Sequence, residues 1–231
     1  MTEVKELKVK LPKWKPKFKR GECFASLVIA SRNSGKSYLL RHLIRTYWRD
    51  IYDIFIIVSD SPDTKADFEP VFGSRQVIFL NDMNYTILNK IQKINEGREK
   101  KGKDKLYTLI LFDDKVSMSQ KNDEQLRQIF TRGRHIACSV VFSSQSRTLA
   151  DPTWINNSDL SIILKSNSAQ QKKGIVENIL RGTVPVDNER DENRILRSIM
   201  MHYCKNQGDA LIIDSKKQSN DNLFWYRAPG D

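Results

Sequence analysis

Seven short apolar runs constrain this chain more than any other feature of its sequence. They are FASLVIA (24–30), IFIIV (54–58), QVIFL (76–80), YTLILF (107–112), CSVVF (138–142), LSIIL (160–164) and ALIID (210–214). Each is rich in β-branched or aromatic residues and lacks a clean apolar–polar alternation, the pattern of strands covered on both faces. Helical stripes lie between several of them. Lys36–Arg49 carries Leu39, Leu40, Leu43, Ile44 and Tyr47, and 85–101 carries Ile87, Leu88, Ile91 and Ile94. Further stripes occupy 122–132 and 191–203. Strands alternating with helices predict a three-layer α/β domain around a mostly parallel sheet with right-handed crossovers. The end, ALIIDSKKQSNDNLFWYRA, reads as a strand, a polar turn and a second strand.

The first run leads directly into Ala30-Ser31-Arg32-Asn33-Ser34-Gly35-Lys36-Ser37 and then a helix. This string fits GxxxxGK[ST], the phosphate-binding loop, in all but its first glycine, which is Ala30. The spacing has a physical reason. Loop N–H groups and the start of the following helix point inward at phosphate oxygens. Lys36 is placed to reach the β- and γ-phosphates and Ser37 to ligate Mg²⁺. Ala30 fits if its φ is negative and is strained if the turn needs a positive one.

The run YTLILF ends in Asp113-Asp114. Two acids at the carboxyl end of a buried strand are costly unless they meet a cation or donors. A Walker B site meets that need, with Asp113 in the Mg²⁺ shell opposite Ser37 and Asp114 orienting or deprotonating a water. Lys115 is an alternative partner for Asp114. After the next helix comes Phe130-Thr131-Arg132-Gly133-Arg134-His135, then a strand ending in Ser143-Ser144-Gln145. Gln145 can sense a γ-phosphate, because its amide both donates and accepts. Arg132 and Arg134 precede that strand, so they are expected at the sheet end away from Gln145. Arginines there are best used in trans, on the γ-phosphate of a neighbouring subunit.

The chain has 231 residues, 39 basic and 28 acidic, for a net charge of +11. Residues 1–20 hold eight basic side chains against Glu3 and Glu6, more than half of the surplus. The expected division is therefore a basic N-terminal arm (1–20) and a P-loop ATPase domain (21–231). The arm, with Trp14 and Phe18 among its lysines, reads either as a grip on nucleic-acid phosphates with a stacking ring or as a solvated tail with a short edge strand. A second basic cluster, Arg98–Lys105, reads as a surface loop. The three cysteines, Cys23, Cys138 and Cys204, are widely spaced, which argues for a reducing compartment and against a disulfide framework or structural zinc. No apolar run approaches the length of a membrane span.

Taken together, ASRNSGKS, LILFDD and above all FTRGRHIACSVVFSSQ resemble the poxvirus-type genome-packaging ATPases of large DNA viruses and virophages, members of the FtsK–HerA superfamily of P-loop motors. The resemblance covers about residues 21–228. It implies a RecA-like core, ATP and Mg²⁺ as cofactors, and a homo-oligomeric ring of five or six subunits. It further implies movement of double-stranded DNA into a preformed capsid at its portal or vertex, inside the host cell. Lys36, Ser37, Asp113, Asp114 and Gln145 would carry the nucleotide chemistry, with Arg132 or Arg134 as the finger. The chain departs from the family's pattern at Ala30 and at Asp114, where many members carry glutamate. Two other classes remain open on sequence grounds, a small-molecule phosphotransferase such as a nucleotide kinase and a non-catalytic DNA- or capsid-binding module. Segments 97–105 and 146–157 are the candidates for facing a central pore.

Overall fold

A computed structural model describes residues 10–113, 124–145, 152–186, 188–217 and 221–229. Asp114, Lys115 and residues 146–151 of the 146–157 segment lie outside the described residues. The chain folds as β1 (Ala25–Ile29), α1 (Lys36–Leu43), β2 (Ile54–Ser59), α2 (Thr64–Phe72), β3 (Gln76–Leu80), α3 (Tyr85–Glu99), β4 (Thr108–Asp113), α4 (Glu124–Arg132), β5 (Cys138–Ser144), α5 (Pro152–Asn157), β6 (Leu160–Leu164), α6 (Ala169–Ile175), α7 (Glu189–Tyr203), β7 (Asp209–Asp214) and β8 (Leu223–Arg227). Helices α1 and α6 each continue into a wide π turn, Ile44–Trp48 and Val176–Leu180.

All eight strands form one sheet in the order β3-β2-β4-β5-β1-β6-β7-β8. The first six pair in parallel, and β7 and β8 run antiparallel at the far edge. Every residue of β1, β2, β4, β5 and β6 is buried, which is why their runs show no alternation. One face packs Ile56, Ile110, Phe112 and Phe142 against Leu126, Phe130, Leu196 and Ile199 of α4 and α7. The other packs Val28, Phe55, Ile57 and Leu111 against Leu39, Leu40 and Leu43 of α1 and Phe68 and Phe72 of α2. Each fully covered side chain of this size contributes about 1.5–3 kcal/mol to burial. The two cores and the sheet between them are the three layers.

Helix α2 has no counterpart among the helical stripes of the sequence. Pro70 lies inside it, and Lys65, Asp67 and Glu69 interrupt its apolar residues. Phe68, Val71 and Phe72 still bury completely against the sheet, so packing overrides weak local propensity.

The basic arm is part of the packed fold from residue 10 onward. Leu11 and Trp14 are buried, and the arm runs beside β8, with Trp14 N–H donating to the Trp225 carbonyl at 2.8 Å and Trp225 N–H to that of Pro12 at 3.1 Å. Phe18 then packs on Phe24 and Trp48, and Arg20 pairs with Asp53 at 2.7 Å. Trp14 stands edge-on to Phe18 and Tyr226 and exposes 6% of its surface, so the expectation of a base-stacking platform at this ring is corrected. The 98–105 cluster starts in the last turn of α3 and continues into a tight turn. Arg98 Nε donates to the Asp104 carbonyl at 2.6 Å, and Gly102 supplies a φ of 66°.

Candidate functional site

The site grows from the end of β1. Ala30 N–H donates to the Ser144 carbonyl of β5, and Ser31 N–H to the Lys165 carbonyl just past β6. The strand is thus held on both sides at the point where the chain leaves it. The loop then turns through Asn33 at φ 59° and Gly35 at φ 86°, and α1 begins with Lys36. Asparagine tolerates the left-handed region better than most residues, and glycine adopts it freely. Ala30 is not among the positive-φ residues, so the missing first glycine carries no backbone strain.

Gly35 is required for a second reason. A Cβ there would lie 2.9 Å from the carbonyl carbon of Gln207 and closer still to the Gly208 nitrogen. The turn before β7 sits directly on the loop, with Gly208 N–H donating to the Ser34 carbonyl at 2.9 Å and Gln207 Nε2 to that of Asn33 at 3.2 Å. Residues Ser31, Arg32, Asn33, Ser34, Gly35, Lys36 and Ser37 line one open depression together with Tyr38, Gln145 and Gln207. Ser34 is buried there, and its hydroxyl has no hydrogen-bond partner among the described residues.

Lys36 and Asp113 meet. The Lys36 ammonium lies 3.0 Å from Asp113 Oδ1, and both side chains are almost fully buried. Ser143 of β5 donates its hydroxyl to the same oxygen at 3.0 Å. A buried carboxylate is tolerable under these conditions, because it has a cation and a donor. Strand β5 lies between β1 and β4, so Gln145 at its end stands between the loop and Asp113.

One residue that carries no sequence signal ties these parts together. Gln171, in the first turn of α6, accepts at Oε1 from Ser31 Oγ (2.7 Å) and from Ser166 Oγ (2.8 Å). Its Nε2 donates to the Gln145 carbonyl at 2.9 Å. It lies in a plain polar helix start, AQQKK, and only the pairing of β1 with β6 brings it to the loop.

The two arginines part company. Arg134 pairs with Asp159, which accepts from Ala25 N–H at 2.9 Å at the other end of β1 from the loop. A five-residue strand spans roughly 17 Å, so this pair lies far from the subunit's own loop. Arg132, the last residue of α4, is exposed and forms no ion pair among the described residues. The same residues contain no cluster of three His, Cys, Asp or Glu side chains fit to hold a metal by themselves. All three cysteines are free and buried, and burial raises each thiol pKa, that of Cys204 to about 12. No described helix is long and apolar enough to cross a membrane.

Among solved structures, the fold matches the genome packaging NTPase B204 of Sulfolobus turreted icosahedral virus 2 in complex with AMPPCP. That match has a TM-score of 0.57 at 14% identity, covering 90% of this chain and 98% of that one. EssC (ATPases 2 and 3) from Geobacillus thermodenitrificans matches with a TM-score of 0.59 at 14% identity, over 91% of this chain and 41% of that one. In sequence, the chain is 23% identical over 207 residues to an uncharacterized protein of Frog virus 3, covering 88% of this chain and 61% of the relative. It is 24% identical over 215 residues to an uncharacterized protein of Acanthamoeba polyphaga mimivirus, covering 87% of this chain and 72% of that relative. The chain thus spans about three fifths of the length of the first relative. The family profile described as Poxvirus A32 protein matches residues 16–223. With nearly the whole chain inside that match, the chain belongs to the poxvirus A32 protein family.

Proposed function

We propose that this chain is an ATPase that drives double-stranded DNA into a preformed viral capsid. The observation that carries the reading is the strand order β4-β5-β1, which sets Gln145 between the loop bearing Lys36 and the strand bearing Asp113. Family membership and the likeness to a fold solved as a genome packaging NTPase support it.

The loop cradles the phosphates of ATP through residues 30–37, with the buried Ser34 hydroxyl as an additional donor. The donor set also suits Mg²⁺, which takes one or two protein oxygens and fills its shell with water and phosphate. Ser37 and Asp113 would hold that ion, which when bound neutralises charge on the β- and γ-phosphates. Lys36 exchanges its Asp113 partner for phosphate oxygens, and Gln145 reads the γ-phosphate at the end of β5. Asp114 is assigned the water. Of the two arginines, Arg132 is the better finger for a neighbouring subunit in a ring of five or six, because Arg134 already serves Asp159. The motor would work at the capsid portal or vertex inside the host cell, with residues 21–231 as the ATPase and 1–20 as a basic arm.

The test is ATP hydrolysis by the full chain with and without duplex DNA. Turnover should rise with duplex DNA and vanish in Lys36→Ala. Turnover indifferent to DNA in every oligomeric form, or phosphate transfer to an added nucleoside, would overturn the reading.

A further inference from the structure

Two segments far apart in sequence build one basic groove at the sheet end opposite the phosphate loop. Lys13, Lys15 and Lys17 come from the arm, and Lys216 and Lys217 from the turn after β7. The groove holds about 340 Å³, and all five lysines are exposed. Its place follows from the register. Leu160 opens β6 opposite Asp214, which closes β7, and both line the groove.

The groove is held in shape. The arm's backbone is bonded to β8 on both sides of Lys13, and the Lys13 and Lys217 ammonium groups lie 5.7 Å and 6.0 Å from the ring centres of Trp225 and Phe224. Two of its three acids are already engaged. Asp159 pairs with Arg134, and Glu22 lies 3.9 Å from Lys19. Asp214 accepts from the Lys216 N–H at 3.2 Å, within its own turn. Five lysines against three acids leave the groove's lining with a surplus of positive charge among the described residues, at a cost in mutual repulsion.

We propose that this groove grips the phosphate backbone of duplex DNA, apart from the nucleotide loop. The proposal rests on the motor reading above and adds the surface that holds the substrate. Its chemistry favours DNA over a capsid protein, because protein interfaces are poor in lysine and rich in exposed aromatic anchors. Here Trp14 and Phe24 are buried, and Phe18 and Phe224 are mostly covered. The same covered rings disfavour single strands, which bind by stacking on free aromatic faces. Lysines contact phosphates as point charges and carry no base information, as a motor crossing any sequence requires.

The experiment compares the full-length wild type with the quadruple variant Lys15→Ala, Lys17→Ala, Lys216→Ala, Lys217→Ala, using anisotropy of labelled duplexes of unrelated sequence across a KCl titration. The slope of log K against log[KCl] should become shallower by about 3.6, at about 0.9 for each phosphate contact removed, with affinity lost equally for every sequence. The matching quadruple arginine variant should restore the slope, which separates charge from misfolding. An unchanged slope in the alanine variant would overturn the groove alone, provided the wild type still binds duplex and is stimulated by it. Loss of binding to purified capsid protein with DNA binding intact would also overturn it. A wild type that binds no duplex at all would defeat the motor reading as well.

Discussion

The Lys36 ammonium rests 3.0 Å from Asp113 Oδ1, although Lys36 opens the helix after β1, Asp113 closes β4, and β5 separates those two strands. This contact holds the two charges that the nucleotide must later divide. Removing one partner leaves the other buried and uncompensated, which typically costs about 3–5 kcal/mol. Lys36→Ala should therefore lower the melting temperature as well as abolish turnover. Adding Asp113→Asn to that variant should recover part of the lost stability without any activity. A thermal melt of the three proteins measures both effects, and an unaltered melting temperature in Lys36→Ala would show the pair to be energetically idle.

Gln171 joins Ser31, Ser166 and the Gln145 carbonyl through one amide. Gln171→Ala frees the end of β5 and the start of the loop together. With about 1 kcal/mol at stake per hydrogen bond, kcat should fall roughly tenfold. Fluorescent-nucleotide binding should change much less than turnover. A variant with weaker nucleotide binding and normal kcat would restrict Gln171 to shaping the loop.

Restoring the usual first glycine should bring no gain. Ala30 is 1% exposed and takes no positive φ, so Ala30→Gly should cost about 0.5–1 kcal/mol with activity retained. Gly35→Ala is the opposite case, because its Cβ would strike the Gln207–Gly208 backbone at a φ of 86°. That variant should lose ATP binding, as isothermal titration would record.

The arginines should separate in a mixing assay. Subunits carrying Arg132→Ala keep a working loop, and subunits carrying Lys36→Ala keep a working finger. Their mixture should regain activity that neither has alone. Arg134→Ala, which strips Asp159 of its partner, should instead show its main effect in the melting temperature. Recovery with Arg134→Ala and none with Arg132→Ala would reverse the assignment.

Asp209 opens β7 beside the turn that seats Gly35. Burial alone would raise its pKa, but the two-pronged bond from Arg227 and the Asn206 donors outweigh it and hold the carboxyl below its ordinary value. A lowered folded pKa adds stability above the unfolded value, near 3.9, and loses it as pH falls through the folded one. Asp209→Asn should therefore melt earlier than wild type at neutral pH. The gap should close as the buffer is taken well below pH ~3.9.

Much of this architecture was legible in the sequence, because some patterns report on local physics. A strand covered on both faces has to be apolar throughout, so FASLVIA, IFIIV and YTLILF announce themselves, and the observed β1, β2 and β4 follow them closely. The phosphate loop is equally local, since its residues are neighbours in the chain and each spacing answers a backbone turn. Helix α2 escaped notice because Pro70 and its charges mask the stripe, while Phe68 and Phe72 become core only when the sheet is there to cover them.

What the tertiary structure alone decided is who meets whom. No pattern in the chain places β5 between β1 and β4, brings Gln171 to Ser31, or ties Arg134 to Asp159 while leaving Arg132 outside any described ion pair. Nor does one show that Trp14 is core, or that lysines 15 and 217 share a groove. Propensity and burial act along a few residues and can be read from one segment. Strand order and side-chain partnership depend on which distant surfaces fit together, and they exist only once the sheet has formed.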